Sequence, residues 1–440
     1  MATKFVLIGS GLAGGLLAAY FGRRGYEVDL YERRADPRAG NFVGGRSINL
    51  ALSTRGIHAL EQLGIADEVL RHAIPMRGRM IHDRAGELHF APYDRDPNKY
   101  INSIGRAALN TTVIEAALRY PNVRVQFNHR CTDVDLSNAV SYFETEQGPV
   151  EARGDAVIGV DGAFSAVRQA MQKRLPDFAY DESYLAHGYK ELTIPPGPNG
   201  EWRMEKEALH IWPRKSFMMI ALPNPDGSFT CTLFWEFKGP RSFETTTTDD
   251  EVQRFFGEEF PDAVPLMPAL LEEYRVNPTG SLVTIRCAPW HDKDKVALVG
   301  DAAHAVVPFY GQGMNAAFED CVVLDECLAE FPDDREHAFA EYFSRRKQNA
   351  DALADLAVDN FIEMRDKTAS KVFRAKKKLD HFLEGLLPGF YLPLYAMVTF
   401  TRMPYAQAAR RARIQDAIVY TTVTALILGG LSILAFALIL

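Results

Sequence analysis

The chain has 440 residues, of which 47% are hydrophobic and 24% are charged, so we expect two or three folded units and not a disordered protein. A net charge of −8 and the lack of a basic stripe argue against a broad nucleic-acid-binding surface. The five cysteines are scattered without any CxxC spacing, which favours reduced thiols in the cytosol and predicts no metal site.

The first predicted element is a strand–helix–strand unit with a glycine-rich turn. "KFVLIG" predicts a strand, "LAGGLLAAYFGRRG" a helix and "YEVDLYERR" a second strand. Gly9, Gly11 and Gly14 form a GxGxxG pattern at the first turn, and Glu32 ends the second strand. In dinucleotide-binding folds such glycines allow a tight turn and close approach of a pyrophosphate, while the acid accepts from a ribose hydroxyl. The unit predicts bound NAD or FAD, because a 2′-phosphate of NADP would meet Glu32.

This segment also has the charge, apolar run and small residues of a secretory signal. That alternative is disfavoured because the pattern continues into a second strand.

The middle of the chain predicts a second kind of structure. Alternating segments such as "MRGRMIHDRAGELHFAPYD" and "SFTCTLFWEF" predict antiparallel strands, whereas "INSIGRAALNTTVIEAALRY" predicts a helix. We therefore expect an α/β protein with an added sheet domain. The predicted division is a discontinuous Rossmann-like nucleotide-binding domain of residues 1–74, 100–185 and 284–332, a mainly antiparallel substrate-binding sheet domain of residues 75–99 and 186–283, and a helical segment of residues 333–413.

Two later segments also end a strand with an acid. "VIGVDGAFSAVR" carries Asp161, and "VALVGDAAHAVVPFYGQGMNAAFED" carries Asp301 before a glycine-rich turn and a helix from about Gly313. Asp301 would bind a hydroxyl of a longer cofactor, and the positive end of the helix would face an electron-rich ring edge. These features favour FAD over NAD. His304 is interpreted as a structural residue of the turn and not as a general base.

The C-terminus is strongly apolar. Residues 417–440 carry no charge, and such a helix would be about 36 Å long, enough to cross a hydrocarbon core of about 30 Å. Arg410, Arg411 and Arg413 precede this run, so the positive-inside rule places the body on the cytoplasmic side. We predict a transmembrane anchor over 414–440 and a membrane-anchored protein whose globular body faces the cytoplasm. The alternative is a buried core helix.

An N-terminal GxGxxG, a central "DG" and a late "GD" segment, in this order, resemble the aromatic-hydroxylase flavoprotein family. Further stretches resemble its kynurenine-hydroxylating branch along most of the chain before the predicted anchor: "GRSINLALSTRG", "RGRMIHD", "HGYKEL", "LHIWP" and "MVTFTRMPYAQA". The resemblance implies a GR2-type flavoprotein hydroxylase fold with tightly bound FAD, NADPH as a transient co-substrate, and O2. No second GxGxxG unit is present in the sequence for a resident NADPH.

The implied reaction is the conversion of L-kynurenine to 3-hydroxy-L-kynurenine, in tryptophan degradation and NAD precursor supply. NADPH would reduce the flavin once substrate is bound, and O2 would form a C4a-hydroperoxide that hydroxylates the ring beside its amine. The ring is already activated, so no acid or base from the protein is predicted. A homodimer is one option for the assembly.

The resemblance also implies site residues. The substrate carboxylate would meet Arg79 and Tyr93, and Asn360 and Tyr395 would complete the polar end. Residues expected around the ring are Leu209, Ile220, Phe234, Phe309 and Met364. Residues expected at FAD are Gly9, Gly11, Leu12, Ala13, Gly14, Glu32, Arg33, Arg46, Ala51, Arg106, Cys131, Asp301, Gly311, Gln312, Gly313, Met314 and Asn315.

Without the resemblance, Arg79 would be an ordinary surface arginine like its neighbours Arg77 and Arg84, and Asn360 a solvated helix residue. Two other functions stay open. One is a membrane-associated reductase or hydroxylase of a prenyl or other substrate, which would need an apolar channel in place of a carboxylate clamp. The other is a tail-anchored flavoprotein scaffold without catalytic activity.

Overall fold

Four β-sheets and the helices around them make up the computed structural model, which describes residues 2–39, 49–363, 383, 385, 387 and 390–439. The predicted site residues Arg46 and Met364 lie outside these ranges. The strands are β1 (Lys4–Ile8), β2 (Glu27–Tyr31), β3 (Leu50–Leu52), β4 (Ala73–Met76), β5 (Gly78–His82), β6 (Leu88–Pro92), β7 (Ile101–Ile104), β8 (Val123–Gln126), β9 (Arg130–Asp135), β10 (Val140–Thr145), β11 (Gly148–Arg153), β12 (Ala156–Gly159), β13 (Ala179–Ile194), β14 (Ala208–Pro213), β15 (Met218–Pro223), β16 (Phe229–Glu236), β17 (Gly280–Ala288), β18 (His291–Asp292) and β19 (Val296–Leu298).

The helices are α1 (Leu12–Arg23), α2 (Thr54–Gln62), α3 (Ala66–Leu70), α4 (Arg106–Leu118), α5 (Ala166–Arg174), α6 (Asp249–Glu259), α7 (Leu270–Val276), α8 (Asp301–His304), α9 (Gly313–Glu330), α10 (Arg335–Ile362), α11 (Leu394–Thr399) and α12 (Tyr405–Ile439).

The central sheet has the strand order β18-β19-β12-β1-β2-β8, and its strands are parallel except for β18. Its inner strands read as continuous apolar runs because helices cover both faces of a parallel sheet. α1 packs against α4 and α9, and the β1–α1–β2 unit predicted from the sequence is confirmed. The carboxyl ends of β1, β12 and β19 therefore lie side by side, which brings the three motif segments together.

The second large sheet has the order β17-β13-β16-β15-β14-β5-β6 and is antiparallel except between β14 and β5. One face is covered by α6 and α7, where Trp235 stacks on Phe255 with ring centres 3.9 Å apart. The other face carries Met218, Ile220 and Phe234, which line a cavity. The long strands β13 and β17 run through the predicted domain limits near 185 and 283, so the division into domains stays a prediction.

The predicted transmembrane anchor is contradicted. Among the described residues, none of the helices combines the length and the apolar character that crossing a membrane requires. α12 is one helix that begins at Tyr405, and its first turns pack into the protein interior and carry Arg410, Arg411, Arg413 and Asp416. The predicted membrane-anchored localisation is contradicted with it. It assumed that residues 414–440 form a separate span, whereas residues 414–439 continue α12, whose first turns are packed in the protein.

Candidate active site

A glycine cradle lies where β1 enters α1. Gly9 has φ of +106°, and a Cβ there would lie 2.7 Å from Asp161 Cα. A Cβ on Gly14 would lie 1.9 Å from the Gly9 carbonyl oxygen. Gly11 differs, because a Cβ there would meet no protein atom within 4 Å and the residue lines the cavity. Gly9 and Gly14 thus shape the turn, and Gly11 leaves room for a ligand beside the positive end of α1.

Glu32 directly follows β2 and lies next to this turn. Its carboxylate accepts hydrogen bonds from the backbone N–H groups of Ser10 at 2.9 Å and Arg34 at 3.0 Å. The side chain lines the cavity. The carboxylate therefore braces the glycine turn, and its predicted contact with a ribose hydroxyl stays a prediction.

Two further acids face the same space. Asp161 Oδ2 accepts from the Ala166 backbone N–H at 2.6 Å, whereas its buried Oδ1 lacks a hydrogen-bond partner in the described part of the chain. Burial raises the pKa of Asp161 above its ordinary value. Asp301 begins α8 and lies in the cavity wall. Burial raises the pKa of its carboxyl above the ordinary value, although the positive charges of Arg106 and His304 lower it. Both acids are placed to accept hydrogen bonds from a polar ligand.

One cavity of about 720 Å³ connects the glycine cradle to the second sheet. Most of the predicted site residues line it: Gly9, Gly11, Leu12, Ala13, Glu32, Arg33, Ala51, Arg79, Tyr93, Arg106, Cys131, Leu209, Ile220, Phe234, Asp301, Phe309, Gly311, Gly313, Met314 and Tyr395. Four further predicted site residues do not line it: Gly14, Gln312, Asn315 and Asn360. For each of these residues, contact with a ligand stays a prediction.

The polar end of the cavity is formed by an arginine beside stacked tyrosine rings. The guanidinium carbon of Arg79 lies 5.8 Å from the centre of the Tyr93 ring and 5.2 Å from that of Tyr395. The two tyrosine rings stack with centres 5.2 Å apart, and Tyr310 extends the stack at 5.9 Å from Tyr395. Arg79 Nε and the Tyr93 hydroxyl are buried and have no hydrogen-bond partner among the described residues. These are donors without an acceptor.

The rest of this end of the cavity is apolar. Leu209, Ile220, Phe234 and Phe309 lie there, with the rings of Phe234 and Phe309 centred 4.8 Å apart. Met218 and Leu222, which were not predicted from the sequence, line the same wall. Both alternate with Ile220 along β15, so the period of two in "SFMMIAL" would have found them.

Polar residues of the cavity wall were missed as well. Arg34, His129 and Arg130 line it close to the predicted Arg33 and Cys131. They come from loops and strand ends on different elements, and no spacing in the sequence connects them. The Cys131 thiol itself is a weak nucleophile, since burial raises its pKa to about 12.

Gln312 belongs to the turn formed by residues 308–313, here named the cofactor-side turn, and Asn315 and Asn360 bind the backbone of this turn. Asn360 Nδ2 donates to the Phe309 carbonyl at 2.6 Å, and Asn315 Nδ2 donates to the Gly311 carbonyl at 3.0 Å. The Asn360 amide nitrogen therefore binds the backbone of the turn, and the contact of this residue with the substrate stays a prediction. His304 hydrogen-bonds to buried Asp320 at 2.5 Å and stacks on Trp290, which agrees with a structural role.

Comparison with known proteins bears on this geometry. Residues 2–357 match the family model described as FAD binding domain. A kynurenine 3-monooxygenase of Myxococcus xanthus is 50% identical over 417 residues, covering 94% of this chain and 89% of that protein. The chain belongs to the kynurenine 3-monooxygenase family. A member from Dictyostelium discoideum is 46% identical over 92% of this chain and 89% of its own, and one from Salinispora arenicola is 48% identical over 94% and 92%.

Solved structures share the fold of this family member at low identity. The tetrameric form of 2-methyl-3-hydroxypyridine-5-carboxylic acid oxygenase has a TM-score of 0.67 at 20% identity, covering 90% of this chain and 95% of that one. P. aeruginosa PqsL in complex with 2-aminobenzoylacetate has a TM-score of 0.64 at 22% identity, covering 83% and 99%. The FAD-binding monooxygenase fold predicted from the sequence is supported, without its membrane helix.

The residues present fit FAD. Gly11 leaves open space at the start of α1, where a pyrophosphate would meet backbone N–H groups, and Asp161 Oδ1 is a buried acceptor without a donor in the described residues. Glu32 and Asp301 supply acceptors for hydroxyl groups, and Gly313 and Met314 present the positive end of α9 to the cavity.

Proposed function

We propose that this chain is an FAD-dependent hydroxylase that converts L-kynurenine to 3-hydroxy-L-kynurenine with NADPH and O2. The family membership and the names of its relatives support this function. The observation that carries it is Arg79, whose buried Nε has no hydrogen-bond partner in the described chain and which lies in the same cavity as the glycine cradle. A buried donor without an acceptor is costly, so this site favours a ligand that brings an acceptor such as a carboxylate.

When bound, FAD supplies the redox chemistry, accepting a hydride from NADPH and activating O2 for transfer to the ring. The chain's own part is to bind and orient. Gly11 and the start of α1 would hold the pyrophosphate, Glu32 and Asp301 would accept from hydroxyls, and the start of α9 would face the flavin ring.

The substrate's amino-acid end would lie at Arg79. A guanidinium can offer two parallel N–H donors to a carboxylate. Burial raises the pKa of Tyr93 and of Tyr395 above their ordinary values, so both hydroxyls stay protonated and can donate. The wall formed by Ile220, Phe234 and Phe309 would hold the aromatic ring and exclude water from it. We assign no acid or base of the protein to the hydroxylation.

Neither rival function is favoured. The relatives match over more than nine-tenths of this chain and carry one enzyme name, which a scaffold without activity does not explain. A site for a prenyl chain would not place an arginine and two tyrosines at the end of the cavity. The homodimer stays a separate prediction, which sedimentation of the purified protein would test.

The direct test follows NADPH oxidation by purified, FAD-loaded protein with and without L-kynurenine and measures the product by mass spectrometry. We expect L-kynurenine to accelerate oxidation and to gain one oxygen atom at position 3. Faster oxidation that yields only hydrogen peroxide would mean that L-kynurenine is an effector and not the substrate.

A matched pair of variants tests the carboxylate site. We expect Arg79→Met to raise the dissociation constant for L-kynurenine at least tenfold, since a hydrogen bond to a charged group contributes about 1.5–3 kcal/mol. Arg77→Met is the control, because Arg77 pairs with Glu207 at 2.7 Å on the surface and does not line the cavity. Equal binding by the two variants would remove Arg79 from the site.

A further inference from the structure

The first residue of α12 reaches the cofactor-side turn. Tyr405 is fully buried, and its hydroxyl donates a hydrogen bond to Gln312 Oε1 at 3.1 Å. Burial raises the pKa of Tyr405 well above its ordinary value, so the hydroxyl stays protonated and remains a donor. A side chain from the C-terminal part of the chain therefore contacts the turn whose Gly311 and Gly313 line the cavity.

Gln312 connects Tyr405 to Ser53 through hydrogen bonds of its side-chain amide. Gln312 Nε2 donates to Ser53 Oγ at 3.2 Å, and the Ser53 backbone N–H donates to Asn315 Oδ1 at 2.9 Å. Asn315 Nδ2 in turn donates to the carbonyls of Ala51 at 2.8 Å and Gly311 at 3.0 Å, which completes the network. Ser53, Gln312 and Asn315 are all buried, so these bonds specify one position of the turn.

The ring of Tyr405 is held independently of its hydroxyl. The guanidinium carbon of Arg55 lies 4.0 Å from the ring centre. Arg55 is itself fixed by Glu319 Oε1 at 2.6 Å and by the Met403 carbonyl. Replacing Tyr405 by phenylalanine would therefore keep the packing and remove only the hydrogen bond.

We infer that Tyr405 is a positioning residue that acts through Gln312 to set the start of α9 against the flavin. Gly313 and Met314, the first residues of α9, line the cavity. The positive end of a helix stabilises negative charge, so its placement affects reduced flavin more than oxidised flavin. The inference rests on the proposed function to the extent that FAD occupies this cavity.

The test is the midpoint potential of bound FAD in Tyr405→Phe, measured by dye equilibration. We expect the variant to hold reduced relative to oxidised FAD about tenfold more weakly, which lowers the potential of this two-electron couple by about 30 mV. Tyr20→Phe is the control, because it removes another buried tyrosine hydrogen bond, to the Ala59 carbonyl at 2.7 Å, away from the turn. A merely structural loss would lower the melting temperature of both variants and leave both potentials unchanged.

A double variant tests whether the effect passes through Gln312. If it does, adding Tyr405→Phe to Gln312→Met shifts the potential no further than Gln312→Met alone. Additive shifts, or an unchanged potential in FAD-loaded Tyr405→Phe, would overturn this inference alone. A wild-type protein that takes up no FAD would overturn the proposed function together with it.

Discussion

Arg168 Nη1 donates a hydrogen bond to the carbonyl oxygen of Ala302 at 2.9 Å, which connects the "DG" segment to the "GD" segment. Its Nη2 donates to the Ala163 carbonyl at 2.6 Å, and the side chain is buried. Two motifs that lie far apart in the chain are thus fixed to each other by one arginine behind the cavity wall.

Arg168→Met is expected to weaken FAD binding at least tenfold and to lower the free energy of unfolding by about 2–5 kcal/mol, since the buried Ala302 carbonyl and the half-buried Ala163 carbonyl lose a donor. Titration of the FAD-free protein with FAD and chemical unfolding would measure the two effects. Arg174→Met on the same helix is the control, because its pair with Asp133 is at the surface and such pairs contribute about 0–1 kcal/mol. Similar losses in both variants would contradict the bridging role.

Alanine substitutions at Gly11 and Gly14 are expected to separate cofactor binding from folding. At Gly11 the new Cβ meets no protein atom, so Gly11→Ala should leave the FAD-free protein within about 0.5 kcal/mol of wild type and still reduce FAD affinity at least tenfold. At Gly14 the Cβ would overlap the Gly9 carbonyl, so Gly14→Ala should destabilise the FAD-free protein by about 1–3 kcal/mol or more. Thermal melts without FAD decide this, and a destabilised Gly11→Ala would count against the open cradle.

Tyr93→Phe is expected to affect the free and the substrate-bound protein in opposite ways. The Tyr93 hydroxyl is buried without a hydrogen-bond partner in the described residues, so its removal should leave the free protein as stable or more stable. Affinity for L-kynurenine should fall about 3- to 10-fold, corresponding to one hydrogen bond of about 0.5–1.5 kcal/mol. Calorimetric titration and melting without substrate give both quantities. A less stable free protein with unchanged affinity would assign the hydroxyl to the fold.

His210 is expected to make the stability depend on pH. It is buried on β14, its Nε2 faces the Glu205 carbonyl at 2.8 Å, and its Nδ1 lies 2.8 Å from His82, which in turn contacts Asp262. Burial lowers the pKa of His210 to about 4. The unfolded chain, with a histidine pKa of about 6.5, therefore binds a proton first, so the contribution is complete above pH 6.5 and is lost as the pH falls to about 4.

This contribution is on the order of 3 kcal/mol. In His210→Gln, the free energy of unfolding should therefore decrease less steeply between pH 6.5 and pH 4 than in wild type. His337→Gln, at an exposed histidine, is the control. Parallel pH profiles for wild type and both variants would show that His210 does not titrate in this way.

Much of the cofactor half was predictable because its signals are local. The GxGxxG turn follows from sterics within one strand–helix–strand unit, where a Cβ on Gly14 has no room beside the Gly9 carbonyl. The end of each parallel strand places its acid at a common edge, so Asp161 and Asp301 could be assigned to one region without coordinates.

The substrate-binding half of the site was harder to predict from the sequence. Arg77, Arg79 and Arg84 lie within eight residues, and only the pairing of β5 with β14 shows that Arg79 faces the cavity next to Leu209. Asn360 was expected to contact the substrate, and only the structure shows that its amide also donates to the Phe309 carbonyl.

The sequence by itself determined the dinucleotide turn, the order of the three motif segments and the family. Each motif could be found because its residues lie close together in the chain. Only the tertiary structure decided that Arg79 lies against the rings of Tyr93 and Tyr395, that Tyr405 reaches the cofactor-side turn, and that the C-terminal apolar run continues a helix whose first turns are packed. The first two outcomes depend on contacts between residues far apart in the chain, such as Arg79 with Tyr395 and Tyr405 with Gln312, which neither local hydrophobic pattern nor backbone sterics specify. The third depends on the packing of the first turns of α12 against the protein interior.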